Sequence, residues 1–199
     1  ITDYVYAGDL AGNLWKFDLT GNSSSKWAVS HKSGSSPAPM FKAVDDDDNH
    51  QPITSRPTVG RHPDGGYMVY VGTGQYFKTT DGLVPESPQI QAFYGIRDSG
   101  SVVDRDDLVE QTIVYEAVGS LSDNTTTDFQ VRIVSSNSAD NLPEYGWRLE
   151  LLSPENGAEA ERSVSRPVLR NGRIIFATII PNENLCGFGG RSWLMELDA

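Results

Sequence analysis

The chain has 199 residues, of which 38% are hydrophobic and 10% aromatic, and this composition favours a globular protein over a disordered one. It has 16 basic and 27 acidic residues, which gives a net charge of -11. This charge argues against a nucleic-acid partner and is compatible with binding of cations or of a positively charged protein. The longest apolar run, residues 174–181, is far too short for a membrane helix. We expect one large domain, or part of one.

Apolar residues recur with a period near two in short runs along the chain, which is typical of β-strands. The first two runs, residues 5–8 and 14–17, flank Asp9 and Gly12, residue types that tolerate the positive φ of a tight turn, and they predict a hairpin. Later runs predict strands at 26–30, 40–44, 53–59, 67–72, 91–97, 112–118, 129–135, 145–152, 163–169, 173–180 and 192–197. Polar segments predict loops at 20–26, 45–50, 79–89, 120–128 and 136–144.

A pattern of three elements recurs in this all-β sequence. TSRPTV at 54–59 returns as VSRPVL at 164–169, and each copy leads into a turn, an apolar strand and an aromatic-led strand that ends on Asp98 or Asp198. The segment at 4–18 repeats the second and third elements. Small repeated sheets bury both faces only by stacking on neighbours, so the repeat favours a β-propeller over a sandwich or a barrel.

The length of the repeat predicts how much of a propeller is present. Blades take about 40 to 50 residues each, so residues 1–199 would supply roughly four blades of a single β-propeller domain. The stretch at 129–152 is the least regular of them.

The first hairpin carries the motif A-x-D-x-x-G-x-L-W, which begins at Ala7. We interpret Asp9 as the cap of the turn, Gly12 as its bend and Trp15 as a wedge between adjacent blades. The alternative is quinone-cofactor binding, because the motif is close to the tryptophan-docking repeat of quinoprotein propellers, although it is one residue shorter between Asp and Gly.

Two acidic positions are candidate cation ligands. Asp3 stands just ahead of the first strand, but calcium needs about six to eight oxygens, so this residue alone is interpreted as an ordinary strand-start acid. In DDDDNH at 45–50, the side chains of Asp45, Asp47 and Asn49 alternate, yet the central glycine and distal acid of an EF-hand loop are missing. A solvated acidic loop is favoured there, with a weak cation site as the alternative.

The remaining candidates point to no catalytic chemistry. Arg56 and Arg166 each precede a proline at the same repeat position, and we expect them to face blade-closing carboxylates or carbonyls, or a ligand if they line a central channel. No nucleophile or zinc motif occurs, and the glycine-rich turn at 186–190 lacks the strand-to-helix context of a phosphate site. The single cysteine, Cys186, leaves the redox compartment and any partner cysteine undecided.

Four segments together resemble the PilY family of type IV pilus tip and biogenesis proteins: YVYAGDLAGNLWKFDL at 4–19, the stretch at 51–77, QAFYGIRD at 91–98 and the stretch at 162–199. The resemblance covers roughly residues 3–100 and 145–199. It implies the C-terminal, modified quinoprotein-type β-propeller of that family, exported to the bacterial surface, at the pilus tip or outer membrane.

The resemblance also implies a calcium site. The family's loop, of D-x-[DN]-x-D-x-x-x-D type, lies immediately before the Y-x-Y-A-G-D strand, so its last acid falls on Asp3 and its earlier ligands would precede Ile1. The chain as given would then hold calcium only weakly by that loop. By the same comparison Asp18 is a blade-closing acid, and the chain is a fragment of a longer protein that starts within a blade.

The function that this resemblance implies is non-enzymatic: pilus assembly, retraction control, twitching motility and adhesion, with calcium as regulator. The implied partners are pilus components such as minor pilins, and host surface molecules, with contact to membranes only indirect. Two alternatives remain open, a quinone-dependent dehydrogenase and a carbohydrate-binding propeller that uses Trp27 or Trp147 as a stacking platform.

Overall fold

The structure is a computed structural model that describes residues 2–123, 125–137, 145–182 and 190–199. These residues form short strands and three 3-10 turns, Ser24–Lys26, Thr79–Gly82 and Arg105–Asp107. No helix in this part of the chain is long and apolar enough to cross a membrane. Cys186 and most of the glycine-rich turn at 186–190 lie outside the described residues.

The first sheet is built on the predicted hairpin. Its strands and the small ribbon beside it are β1 (Tyr4–Gly8), β2 (Asn13–Asp18), β3 (Ala28–Val29), β4 (His31–Ser33), β5 (Ser36–Ala38) and β6 (Phe41–Lys42). β2 lies in the centre, because it pairs antiparallel with β1, β3 and β6. β4 and β5 pair only with each other among the described strands.

The second sheet has five strands, and a long separate hairpin lies between two of them in the sequence. The elements are β7 (Thr58–Arg61), β8 (Tyr67–Gly72), β9 (Ala92–Asp98), β10 (Val109–Gln111), β11 (Ile113–Asp123), β12 (Thr125–Val134) and β13 (Gly146–Glu150). β7, β8, β9 and β13 form an antiparallel meander, and β10 adds to β13 in parallel. β11 and β12 form the separate hairpin.

The third sheet repeats the first three strands of that meander. Its strands, with a small neighbouring ribbon, are β14 (Val168–Arg170), β15 (Arg173–Ala177), β16 (Ile180–Pro181), β17 (Gly190–Arg191) and β18 (Leu194–Asp198). β14, β15 and β18 pair antiparallel in that order. The first strands β7 and β14 both begin directly after the proline of the repeat, which has no N–H to give to a ladder.

The three sheets stack, and the second sheet is buried on both faces. One of its faces packs against the first sheet and the other against the third, where the rings of Phe93 and Phe176 lie 3.7 Å apart. Side chains of the second sheet alternate between the two cores as a strand requires: Val69, Val71, Tyr94 and Ile96 to one, and Met68, Tyr70, Phe93 and Leu149 to the other.

Neighbouring sheets meet through a repeated backbone contact. The Ile53 N–H donates to the carbonyl of Asp9 at 2.9 Å, and the Ser163 N–H donates to the carbonyl of Thr73 at 3.0 Å. Ile53 and Ser163 both stand directly before the x-S-R-P repeat, so the sequence echo corresponds to a structural junction.

Two expectations about the less regular part of the chain need correction. The sequence predicted roughly four blades, but the described strands form three sheets of three or more strands. The stretch at 129–152 does not make a blade of its own, because it divides between the β11–β12 hairpin and strand β13 of the second sheet. The predicted loop at 120–128 is mostly strand, since β11 and β12 pair antiparallel there and satisfy each other's backbone groups.

Candidate functional site

Asp9 closes the first hairpin as the sequence predicts. Its Oδ1 accepts the backbone N–H groups of Ala11 and Asn13, each at 2.9 Å, and Gly12 adopts a φ of 76° at the bend. Burial opposes ionisation of this carboxyl, but donors led by Trp15 and Asn13 outweigh it and hold the pKa of Asp9 below its usual range. The carboxylate is therefore committed to the turn.

The wedge role of Trp15 stays a prediction, and the structure shows how its ring is held. Its indole N–H donates to Asp9 Oδ2 at 2.8 Å, so the ring docks on its own turn. Leu14 next to it packs in the core between the first and second sheets, and alternation along β2 directs Trp15 to the opposite face.

The acidic run at 45–50 repeats the Asp9 turn. Asp45 Oδ1 accepts the N–H groups of Asp47 at 3.0 Å and Asn49 at 2.9 Å, and Asp48 takes the positive φ, 61°, that Gly12 takes in the first hairpin. The Asn49 amide donates to Asp45, as the Asn13 amide does to Asp9. Asp45 and Asn49 thus use their polar atoms on each other, which favours a structural turn over a cation site.

Asp3 lies at the start of β1, where its carbonyl accepts the Leu19 N–H at 2.8 Å and its side chain is exposed. In the part of the chain that the structure describes, no three His, Cys, Asp or Glu side chains converge as metal ligands. The residues present near Asp3 do not make up a calcium shell, so this role requires ligands from elsewhere in the polypeptide.

The acids that end the aromatic-led strands have three different environments. Asp18 accepts the N–H and hydroxyl of Thr20 at the protein surface. Asp98 is buried and joins two sheets, since it accepts the Tyr6 hydroxyl at 2.5 Å and pairs with Lys16 at 2.6 Å. Burial and this hydrogen bond raise the pKa of Tyr6 far above its usual value. Asp198 is exposed beside Arg173.

Arg56 and Arg166 do not face carboxylates. Both are exposed, and neither makes a hydrogen bond or ion pair within the described residues. The proline that follows fixes an extended backbone, but the side chain then points to solvent beside the first strand of its sheet.

The two tryptophans proposed as sugar platforms differ. Trp147 is 9% exposed and stacks on Phe93, so it offers little ring face. Trp27 is 50% exposed, which keeps its ring accessible to a glycan.

Sequence reasoning missed a buried ion network around Arg132. Its guanidinium donates to Glu116 at 2.6 Å and to both oxygens of Glu161 at 2.6 and 2.8 Å, and it lies 4.1 Å from the ring centre of Trp193. Arg132 and Glu161 are 2% and 1% exposed. In a chain with 27 acids, no sequence spacing singles out these partners.

Comparison with known proteins identifies the fold. The family described as "PilY1 beta-propeller domain" matches residues 1–131. The crystal structure of the Pseudomonas aeruginosa PilY1 C-terminal domain superimposes with a TM-score of 0.82 at 29% identity, and the match covers all of this chain and 44% of that one. The expected all-β propeller fold is confirmed.

Curated relatives align along the whole chain. A "Type IV pilus biogenesis factor PilY1 homolog" from Xylella fastidiosa strain Temecula1 is 35% identical over 201 residues, and PilY1 from P. aeruginosa strain UCBPP-PA14 is 32% identical over 239. This chain spans 13% and 20% of their lengths. The expected family is confirmed, and the chain belongs to the PilY1 β-propeller domain family.

Proposed function

We propose that the chain is a non-catalytic propeller module of a type IV pilus biogenesis protein, carried at the cell surface on the pilus tip or outer membrane. The observation that supports it most is 35% identity along the whole chain to a protein named as a type IV pilus biogenesis factor. In this proposal the module serves pilus assembly, retraction control, twitching motility and adhesion by binding pilus components such as minor pilins, and host surface molecules.

Deletion and complementation test this role. Removing the gene that encodes the chain should abolish surface pili in electron micrographs and collapse the twitching zone, and the wild-type gene should restore both. Attachment to host cells should fall in the same strain. Unchanged piliation and twitching after deletion would contradict the proposal.

The geometry of Asp9 supports a non-catalytic role over the quinone-dependent alternative. Its carboxylate accepts five hydrogen bonds from Ala11, Asn13 and Trp15, so the quinoprotein-like motif stabilises the turn. We expect neither stoichiometric uptake of added pyrroloquinoline quinone, measured by absorbance, nor alcohol oxidation. Turnover with that cofactor would favour the dehydrogenase.

Calcium regulation is proposed through Asp3. The resemblance makes this acid the last ligand of a loop whose other oxygens would precede Ile1, and a bound cation would order that loop and bias one conformation. In a polypeptide extended before Ile1, calorimetry should detect calcium binding, and Asp3→Ala should weaken it at least tenfold. Asp47→Ala, in the exposed acidic turn, is the matched control and should bind calcium like the wild type. Equal affinity in the Asp3 variant would remove this assignment.

A further inference from the structure

The dipeptide Asn-Gly occurs twice in the chain, at 156–157 and at 171–172, and both asparagines are exposed. In this dipeptide the main-chain nitrogen of the glycine can attack the side-chain carbonyl carbon of the asparagine, because glycine has no Cβ to crowd the approach. A hydrogen bond that holds the glycine N–H in place opposes this attack, since the bond must first be broken. The two copies differ in this respect.

At 156–157 the glycine nitrogen is held. The Gly157 N–H donates to the carbonyl of Ser153 at 2.9 Å, and the Gly157 carbonyl accepts the Ser153 N–H at 3.2 Å. The asparagine is held as well, since its N–H donates to Ser153 Oγ at 3.0 Å and its side-chain amide donates to Glu159 at 3.4 Å. Attack at this site would therefore have to break several hydrogen bonds together.

At 171–172 the glycine nitrogen is free. These two residues form the whole loop between β14 and β15, because Arg170 and Arg173 are the last pair of the ladder. Both take a positive φ, 51° for Asn171 and 73° for Gly172, which is the pattern of a type I′ turn. The Gly172 N–H has no acceptor among the described residues, and a Cβ placed on Gly172 would meet nothing within 4 Å.

The charges around this turn also favour the reaction. Arg170 and Arg173 lie directly opposite each other, so their side chains are on one face of the hairpin, where like charges repel. Arg173 pairs with Asp198 at 3.2 Å, whereas Arg170 makes no ion pair within the described residues. A carboxylate at position 171 would add a negative charge beside Arg170, and the same positive charge favours loss of the Gly172 amide proton.

We propose that Asn171 is a site of spontaneous deamidation. The Gly172 nitrogen loses its proton and bonds to the side-chain carbonyl carbon of Asn171, and the C–N bond of the side-chain amide breaks to release ammonia. Water then opens the resulting succinimide ring at either carbonyl, which gives aspartate or isoaspartate at position 171. Isoaspartate adds a carbon to the main chain of a two-residue loop, so it breaks the geometry that pairs Arg170 with Arg173.

Peptide mapping by mass spectrometry, on the folded chain incubated at mildly alkaline pH, tests this proposal. Asn171 should convert at least tenfold faster than Asn156, which is the matched control because it is the same dipeptide in the same molecule. Isoaspartyl methyltransferase should label the peptide that contains residue 171. In urea the two rates should come within threefold of each other, because the hydrogen bonds that hold Gly157 are then lost.

A second measurement tests the effect on the turn. The isoaspartate form, isolated by anion exchange, should have a lower urea midpoint than the Asn171→Asp variant, which carries the same charge on an unaltered main chain. Equal midpoints would overturn this effect. Three results would overturn the site itself: equal rates at Asn171 and Asn156 in the folded chain, an equally large ratio of rates in urea, or protection of Asn171 in a longer polypeptide that contains this chain.

Discussion

Gly8 and Gly72 lie at two points of close approach between neighbouring sheets. A Cβ on Gly72 would lie 2.5 Å from the Cβ of Ser163, and one on Gly8 would lie 2.1 Å from Cγ2 of Ile53. These are the same two junctions at which the Ile53 and Ser163 N–H groups donate across the interface. Glycine is therefore required at both positions because the neighbouring chain lies too close for a Cβ, and not because the backbone adopts a positive φ.

Replacing either junction glycine by alanine should destabilise the protein. For Gly72→Ala we expect a loss of about 1–3 kcal/mol in the free energy of unfolding, because the added methyl group forces the two sheets apart. Urea denaturation followed by circular dichroism measures it. Gly82→Ala is the control, since its nearest atom, the Tyr76 hydroxyl, lies 3.7 Å away, an ordinary contact. A Gly72 variant as stable as the Gly82 variant would show that the junction relaxes freely.

The Asp9 turn makes a second prediction at this scale. Asp9→Ala removes the acceptor of two backbone N–H groups and of the Trp15 indole and should cost about 1–2 kcal/mol at neutral pH. The folded pKa lies below the usual 3.8, so the carboxylate stabilises the fold above that value and loses its effect as the pH falls through the folded pKa. The stability gap between variant and wild type should therefore close in acid, as urea titrations from pH 7 to pH 2.5 would show.

The matched control for this turn is Asp47→Ala. Asp47 is an exposed acid in the sister turn and donates its own N–H to Asp45, which the substitution keeps. We expect a change within about 0.5 kcal/mol. A pH-independent gap for the Asp9 variant would mean that its ionised carboxyl does not hold the turn.

The same two turns show how much of the local structure can be predicted from the residue pattern. Asp9, Gly12 and Asn13 announce a hairpin through residue types that suit positive φ and side-chain capping. The sister turn at Asp45 was harder to recognise, because Asp48 replaces the glycine and four adjacent acids suggest cation binding first. Only the structure shows that both carboxylate oxygens of Asp45 accept hydrogen bonds from N–H donors.

At the scale of elements, the β11–β12 hairpin depends on one buried cation. Arg132→Met would leave Glu116 and Glu161 buried without their partner, and removing one member of a buried pair costs about 3–5 kcal/mol. We expect a lower urea midpoint and faster proteolytic cleavage within the hairpin.

Two further variants sharpen this prediction. The triple change Arg132→Met, Glu116→Leu, Glu161→Met removes all three charges together and should recover much of the lost stability. Arg191→Ala breaks the surface pair with Glu159, where Arg191 is 53% exposed, and should cost less than about 1 kcal/mol. An Arg132 variant no worse than the Arg191 variant would show that the hairpin is held by something else.

Strand positions followed from the period-two pattern wherever a strand is buried on at least one face. The strands predicted at 67–72 and 91–97 nearly coincide with β8 and β9, whose side chains alternate between two cores. The ribbon β4–β5 was missed, because its strands have three residues each and bury only His31 and Ala38, so they carry no periodic apolar signal.

At the scale of the whole molecule, the second sheet couples the other two. Its Tyr94 and Phe93, both fully buried, point into opposite cores, so that loss of this sheet would expose both at once. The repeat in the sequence predicted this stacking, because a small sheet with apolar residues on both faces needs a neighbour on each side. It did not predict the exact number of sheets, since the inserted hairpin interrupts the period.

Such stacking predicts one cooperative unfolding transition. Leu14→Ala in the first sheet and Phe176→Ala in the third should each cost about 2–5 kcal/mol, because both side chains are buried and leave a cavity. Each substitution should shift the urea transition by the same amount whether circular dichroism or tryptophan fluorescence is followed, although the two sites lie in different cores. Leu10→Ala, at a position 56% exposed, is the control and should change little. If Phe176→Ala instead produced two separated transitions, with the first sheet still protected from hydrogen exchange after the third had unfolded, the second sheet would not be transmitting stability between them.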